Sequence, residues 1–79
     1  MLQFAITAYL DELKALGFEN VPSKSELSKL LDVTPTSFSR MAANTISSPT
    51  RIQLGKIIAE FRRRGFGTTP NDLLRWIGD

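Results

Sequence analysis

Residues 23–44 read SKSELSKLLDVTPTSFSRMAAN, and this stretch decides the fold because it holds two helix starts with too little chain between them for an ordinary loop. Ser23 and Glu26 have the spacing of a capping box, in which the hydroxyl accepts from an early backbone N–H and the carboxylate reaches back to the cap. Thr34 followed by Pro35 is a second start: a capping hydroxyl, then a residue whose fixed φ suits the first helical position. Leu27, Leu30 and Leu31 make one apolar stripe at helical spacing, and Phe38 and Met41 make another, with Val33 in the connection. The turn between the helices is about three residues, Asp32 to Thr34. Two short helices meeting across so brief a turn must pack at a steep angle.

Outward from this pair, the 79-residue chain is of a size that buries only about 60% of its exposable surface on folding. Hydrophobic residues at 42% suffice for a core, and charged residues at 23% are ordinary, so the composition is that of a folded domain. Residues 1–79 are expected to form a single domain. No apolar run approaches the ~20 residues that span a bilayer. The opening MLQFAITAYLDEL lacks a basic leader and a small-residue cleavage site, so a cytoplasmic protein is expected, close to the nucleoid if the source is prokaryotic. With no cysteine and no histidine, disulfides, thiolate nucleophiles, imidazole bases and nearly every zinc site are ruled out. No cofactor, no metal and no enzymatic activity are expected. The close acid pairs, Asp11 with Glu12 and Asp72 with Asp79, read as solvated helix-end carboxylates.

From about Gln3 to Leu16, the apolar positions Ile6, Tyr9/Leu10, Leu13 and Leu16 predict a helix, with Gly17 where a left-handed terminus belongs. Phe18 to Pro22 is a connector, in which Phe18 or Val21 is expected to staple the next helix entry. NTISSPT after Ala43 has loop composition, and Asn44 suits a left-handed helix end. Ser48 and Pro49 repeat the cap-then-Pro signal, predicting a helix from about residues 49–51 to Arg64, with Leu54, Ile57, Ile58 and Phe61 inward. Gly55 within it is read either as a close-packing site or as a tolerated weakness of about 1 kcal/mol. Thr69, Pro70 and Asp72 open a last helix, in which Leu73, Leu74 and Ile77 or Trp76 cover the core. The expectation is all-α, a five-helix bundle without strands.

The net charge of +2 is small, and its distribution is more informative. Residues 1–23 sum to −2 and residues 24–56 to +3, and no acid occurs between Asp32 and Glu60. Polyanions favour such a segment. If Phe38 and Met41 point inward, then Thr36, Ser37, Ser39 and Arg40 occupy the other faces of helix 35–43. Small hydroxyls and one long cation suit a B-DNA major groove, about 12 Å wide, where arginine pairs bidentately with guanine. The N–H groups at Thr34 offer a phosphate site.

These residues resemble the helix-turn-helix domain of phage Cro and repressor proteins and the wider Xre-type regulators. Leu27, Leu31, Val33, Phe38 and Met41 fall at that motif's apolar positions. Ser28 stands at its small residue, usually Ala, and Asp32 replaces the usual turn Gly while tolerating φ > 0. FSRMAAN resembles the family's LSRLENG, and PNDLLRW its PxDLL ending. The resemblance covers roughly Ser23 to Trp76 and implies a lambda-repressor-like fold with the motif at 23–44. It also implies that Lys24, at the position of a frequent Gln, contacts phosphate, and that Asn44 and Arg51 flank a loop running along the DNA backbone.

The DNA-binding set is therefore Lys24, Thr34, Thr36, Ser37, Ser39, Arg40, Asn44 and Arg51, with Arg40 foremost. Lys24 at a helix start opposes the dipole, which favours an external anion there. Arg62, Arg63 and Arg64 form the densest positive run, but cations in a last helical turn are favoured by the dipole, and the family layout turns this end from the duplex. Trp76 and Ile77 are expected in the core; an exposed Trp would instead anchor a dimer. A transcriptional regulator, normally a repressor, is expected, acting as a homodimer on double-stranded DNA. Any control comes from its concentration or from a regulatory protein. The competing expectation is a protein-interaction or antitoxin-like module with the same fold, marked by an apolar patch around Ile46, Ile52 and Trp76.

Overall fold

Helix ends made by short-range hydrogen bonds organise the molecule. A computed structural model describes residues 2–44 and 49–76, among which the order is β1 (Leu2–Phe4), α1 (Ile6–Ala15), α2 (Lys24–Leu30), α3 (Pro35–Ala42), α4 (Arg51–Arg63), α5 (Pro70–Leu73) and β2 (Leu74–Trp76). Five helices are present, as expected.

The turn between α2 and α3 has the anticipated geometry. Asp32 takes a left-handed φ of 56°; its N–H donates to the Lys29 carbonyl and the next N–H, of Val33, to Ser28. This doubly bonded helix end satisfies carbonyls left over by α2. Thr34 then caps α3, its hydroxyl accepting from the Ser37 N–H at 3.1 Å. Gly17 and Gly65, at φ of 91° and 97°, close α1 and α4 by the same pattern. At α4 the apolar contact that accompanies this ending is Phe66 on Phe61, edge to face at 5.9 Å.

A single apolar cluster joins the described elements. Phe4, Ile6, Leu27, Phe38, Ile57, Phe61 and Leu73 are each at most 2% exposed. Ser28 is a buried polar residue of α2, its hydroxyl donating to the Ser25 carbonyl. Tyr9 reaches across the core to share a 2.6 Å hydrogen bond with the buried Thr68.

Several expectations are corrected. The strandless bundle is wrong at both ends: Leu2–Phe4 pairs antiparallel with Leu74–Trp76, with Leu2 opposite Trp76 and Phe4 opposite Leu74. The first helix consequently starts at Ile6 rather than Gln3, and Ala5 donates to the Leu73 carbonyl at 2.6 Å instead. The last helix is only four residues long, because Leu74 is already extended at φ −114°, ψ 111°. Trp76 is thereby 69% exposed and does not cover the core; Ile77 lies outside the described residues. Leu16, placed on the first helix's inner stripe, is 74% exposed, since the chain has left the helix at that point. Ser48 also lies outside the described residues, and the cap of α4 is Thr50. Its hydroxyl accepts from the Gln53 N–H while its own N–H donates to Gln53 Oε1. The Ser23 box is half made: Ser23 accepts from the Glu26 N–H, but the Glu26 carboxylate accepts instead from Arg64. Of the two staple candidates, Val21 packs on the core, and Phe18 is half exposed against Phe66. Gly55 is exposed, with open space where a Cβ would stand, so it is not a close-packing site.

Candidate nucleic-acid interface

The candidate face lies on α3, whose orientation follows from its two buried residues, Phe38 at 1% and Met41 at 5% exposure. At about 100° per residue, the direction opposite their mean is occupied by Thr36 and Ala43, with Arg40 on one shoulder and Ser39 on the other. All four are exposed. Sequence reasoning named Thr36, Ser39 and Arg40 but passed over Ala43, the helix C-cap, because a search for charges and hydroxyls skips a methyl group. Its small size leaves room for a surface to approach the backbone.

The remaining predicted residues separate. Ser37 is exposed but turned toward the capping end, where its hydroxyl accepts from Thr34 Oγ1 at 3.0 Å. Thr34 thus has both an intrahelical acceptor role and this bond, and its hydroxyl is occupied in local structure. Lys24 is the exposed first residue of α2, the helix packed on α3. Arg51 is the exposed first residue of α4. At φ 58° Asn44 has the left-handed conformation anticipated for it, and its amide is engaged by the backbone of Phe4 at both ends, a structural tie that residue type and spacing did not signal.

The arginine run behaves as a structural cluster. Arg62 Nε donates to the Thr68 carbonyl at 3.0 Å, Arg63 makes two bonds to Glu60, and Arg64 bonds Glu60, Glu26 and the Asn20 carbonyl. Hydrogen bonds from Arg63 first and Arg64 second hold the Glu60 carboxyl down to about 2 from an ordinary 4.5. A second ion pair braces the ribbon: Arg75 grips Glu12 through both guanidinium nitrogens, at 2.6 and 2.9 Å, and its Nε donates to the Asp72 carbonyl. That bonding keeps the Glu12 carboxyl below the usual range, so Glu12 is a charged structural partner rather than a proton donor. Asp79, the other half of the second acid pair, lies outside the described residues.

Among the described residues, no three carboxylates cluster as a metal site would require, and no helix is long and apolar enough to cross a membrane. Comparison of the chain with protein-family models, with curated proteins and with solved structures returns no match.

Proposed function

We propose that the protein is a sequence-specific double-stranded DNA-binding regulator of transcription, acting as a repressor, that lays helix 35–43 in a major groove. The observation that carries this reading is the outward face of α3: Thr36 and Ala43 at its centre, Arg40 and Ser39 flanking them, on a helix in a segment without a single acid from 33 to 59. A helix fits the groove, Arg40 supplies the bidentate fork that recognises guanine, and the short side chains permit close approach. Lys24 and Arg51 supply phosphate contacts that set register without reading sequence. The tight α2–α3 turn, with Ser28 buried at the motif's small-residue position, fits the helix-turn-helix of the Cro and repressor group that the motif resembles. One such module makes few base contacts, so two copies on half-sites about one helical turn apart provide selectivity.

The test is a fluorescence-anisotropy titration of the full chain against mixed-sequence duplex at two salt concentrations, followed by selection from a random pool. Binding that weakens as salt rises, and enrichment of a two-fold-related site, are the expected results. No binding at ~50 mM salt, or salt-independent binding, refutes the proposal.

A second reading, a protein-interaction or antitoxin-like module, draws on the exposure of Ile52 at 74% and Trp76 at 69%; Ile46 lies outside the described residues. A complex that forms without duplex and is lost in Trp76→Ala would favour it.

A further inference from the structure

The amide of Asn44 does something that neither the helix-end signal nor a DNA contact requires. Its Oδ1 accepts from the Phe4 N–H at 2.9 Å, and its Nδ2 donates to the Phe4 carbonyl at 3.1 Å. A carboxamide presents the same donor and acceptor as a peptide unit. This pair therefore reproduces the double exchange of an antiparallel strand partner. The phase of the ribbon agrees: if Phe4 turns both backbone groups toward Asn44, the alternation puts the cross-ribbon bonds at Gln3 opposite Arg75 and again at Ala5, whose N–H does donate to Leu73. Asn44 closes the outer edge of β1 that would otherwise be open at Phe4.

Phe4 touches α3 a second time. Its ring, 2% exposed, meets the Phe38 ring edge-on at 6.5 Å and 86°. Phe38 is the residue most nearly behind Thr36 and Arg40 on the helix. A single residue of the terminal ribbon thus holds α3 at its C-terminal end through backbone hydrogen bonds and at its middle through a ring. The other end of α3 follows the Asp32–Thr34 turn and the packing of α2 on α3. Because β1 is itself held by β2, both ends of the chain converge on the pose of this helix.

We propose that the terminal ribbon sets the orientation of α3, with Asn44 as its positioning residue, so that duplex affinity depends on a side chain that does not touch DNA. This rests on the reading of α3 as the duplex-binding helix. It makes Asn44 a coupling element between the chain termini and the recognition face.

Asn44→Gly is the informative variant, because glycine keeps the left-handed backbone without strain while removing the amide. In the full-length variant, hydrogen exchange at the Phe4 N–H is expected to accelerate about tenfold, with shifted Phe38 ring resonances. Duplex affinity is expected to fall about tenfold with an unchanged salt slope, since no phosphate contact is lost. Gln3→Pro, which removes a ribbon donor, should give a similar loss, and the double variant should lose little more than either single one. Unchanged Phe4 exchange in Asn44→Gly overturns the proposal. So does a salt slope reduced by about one, which identifies a direct phosphate contact, or full additivity of the two variants. If the wild-type chain binds no duplex, the proposed function fails, and Phe4 exchange with the Phe38 resonances alone decides whether the ribbon positions α3.

Discussion

In a chain of net charge +2, the C-terminal end of α4 carries three consecutive arginines and the outer face of α3 carries one, and the two sets are placed for different ends. At α4, three consecutive arginines meet carboxylates and carbonyls from three other parts of the chain: Glu26, the Asn20 carbonyl and the Thr68 carbonyl, besides Glu60 one turn back. On α3, Arg40 stands among hydroxyls and methyl groups in a stretch that contains no acid at all. Density of positive charge therefore does not mark a ligand site. What distinguishes the α4 end is that the fold ties its arginines to carboxylates and carbonyls of other segments, which makes that run a brace.

Variants that act on one region and not on the other can break this comparison. The largest effect is expected inside α3: Phe38→Ala removes a ring that is 1% exposed and should cost about 3 to 5 kcal/mol of stability, read as a shifted urea midpoint. A loss below ~1 kcal/mol would mean that α3 is not held by its inner face. Next, Arg40→Ala should weaken specific duplex binding by about 1 to 3 kcal/mol and leave the urea midpoint in place; a shifted midpoint with intact binding would move Arg40 into the structural class.

Arg64→Ala is the mirror experiment. Its side chain is 22% exposed with three partners, so a stability loss of about 1 to 2 kcal/mol is expected, with duplex affinity unchanged. Reduced affinity in a fully folded protein would return the arginine run to the candidate surface.

Acid provides a second probe of the brace. Glu60 titrates at about 2 in the fold against 4.5 ordinarily, so the unfolded chain takes up its proton at higher pH than the folded one. The stabilisation is fully present above about pH 4.5 and is lost as the pH falls toward 2. Glu12, lowered by Arg75, acts in the same direction. Urea midpoints should be lower at pH 3 than at pH 6, and Arg64→Ala should narrow that difference; a midpoint that rises in acid contradicts the carboxylate pairing. The smallest effect is a gain: Gly55→Ala, entering open space on α4, should stabilise by about 0.5 to 1 kcal/mol, checked by thermal denaturation.

Much of the fold was legible where the signal is local. Caps act over three residues, which is why Thr34 with Ser37 and the left-handed ends at Gly17, Asp32 and Asn44 could be read from residue type and spacing. Apolar periodicity likewise pointed to Phe38, Met41, Ile57 and Phe61. It misled at Leu16 and Trp76, because periodicity continues past the residue at which the chain leaves the helix. The candidate face was legible as a set of residue types, but its ranking was not: that Thr36 lies directly outward, that Ala43 joins it with Arg40 and Ser39 on either side, and that Ser37 and Thr34 bond each other required the buried side of α3 to be known.

By itself the sequence determined the number and order of the described helices, the tight α2–α3 turn and the acid-free stretch, because each depends on residues within a few positions of one another. Only the tertiary structure decided the terminal ribbon, the partners of Arg64 and the attachment of Asn44 to Phe4. Each of these joins residues distant along the chain, and a three-residue strand or a lone amide carries no periodicity by which to foretell its partner. The same physics explains why the backbone conformation of Asn44 was legible and the tie of its amide to Phe4 was not: its φ is a property of the residue, whereas the destination of its amide is a property of the fold.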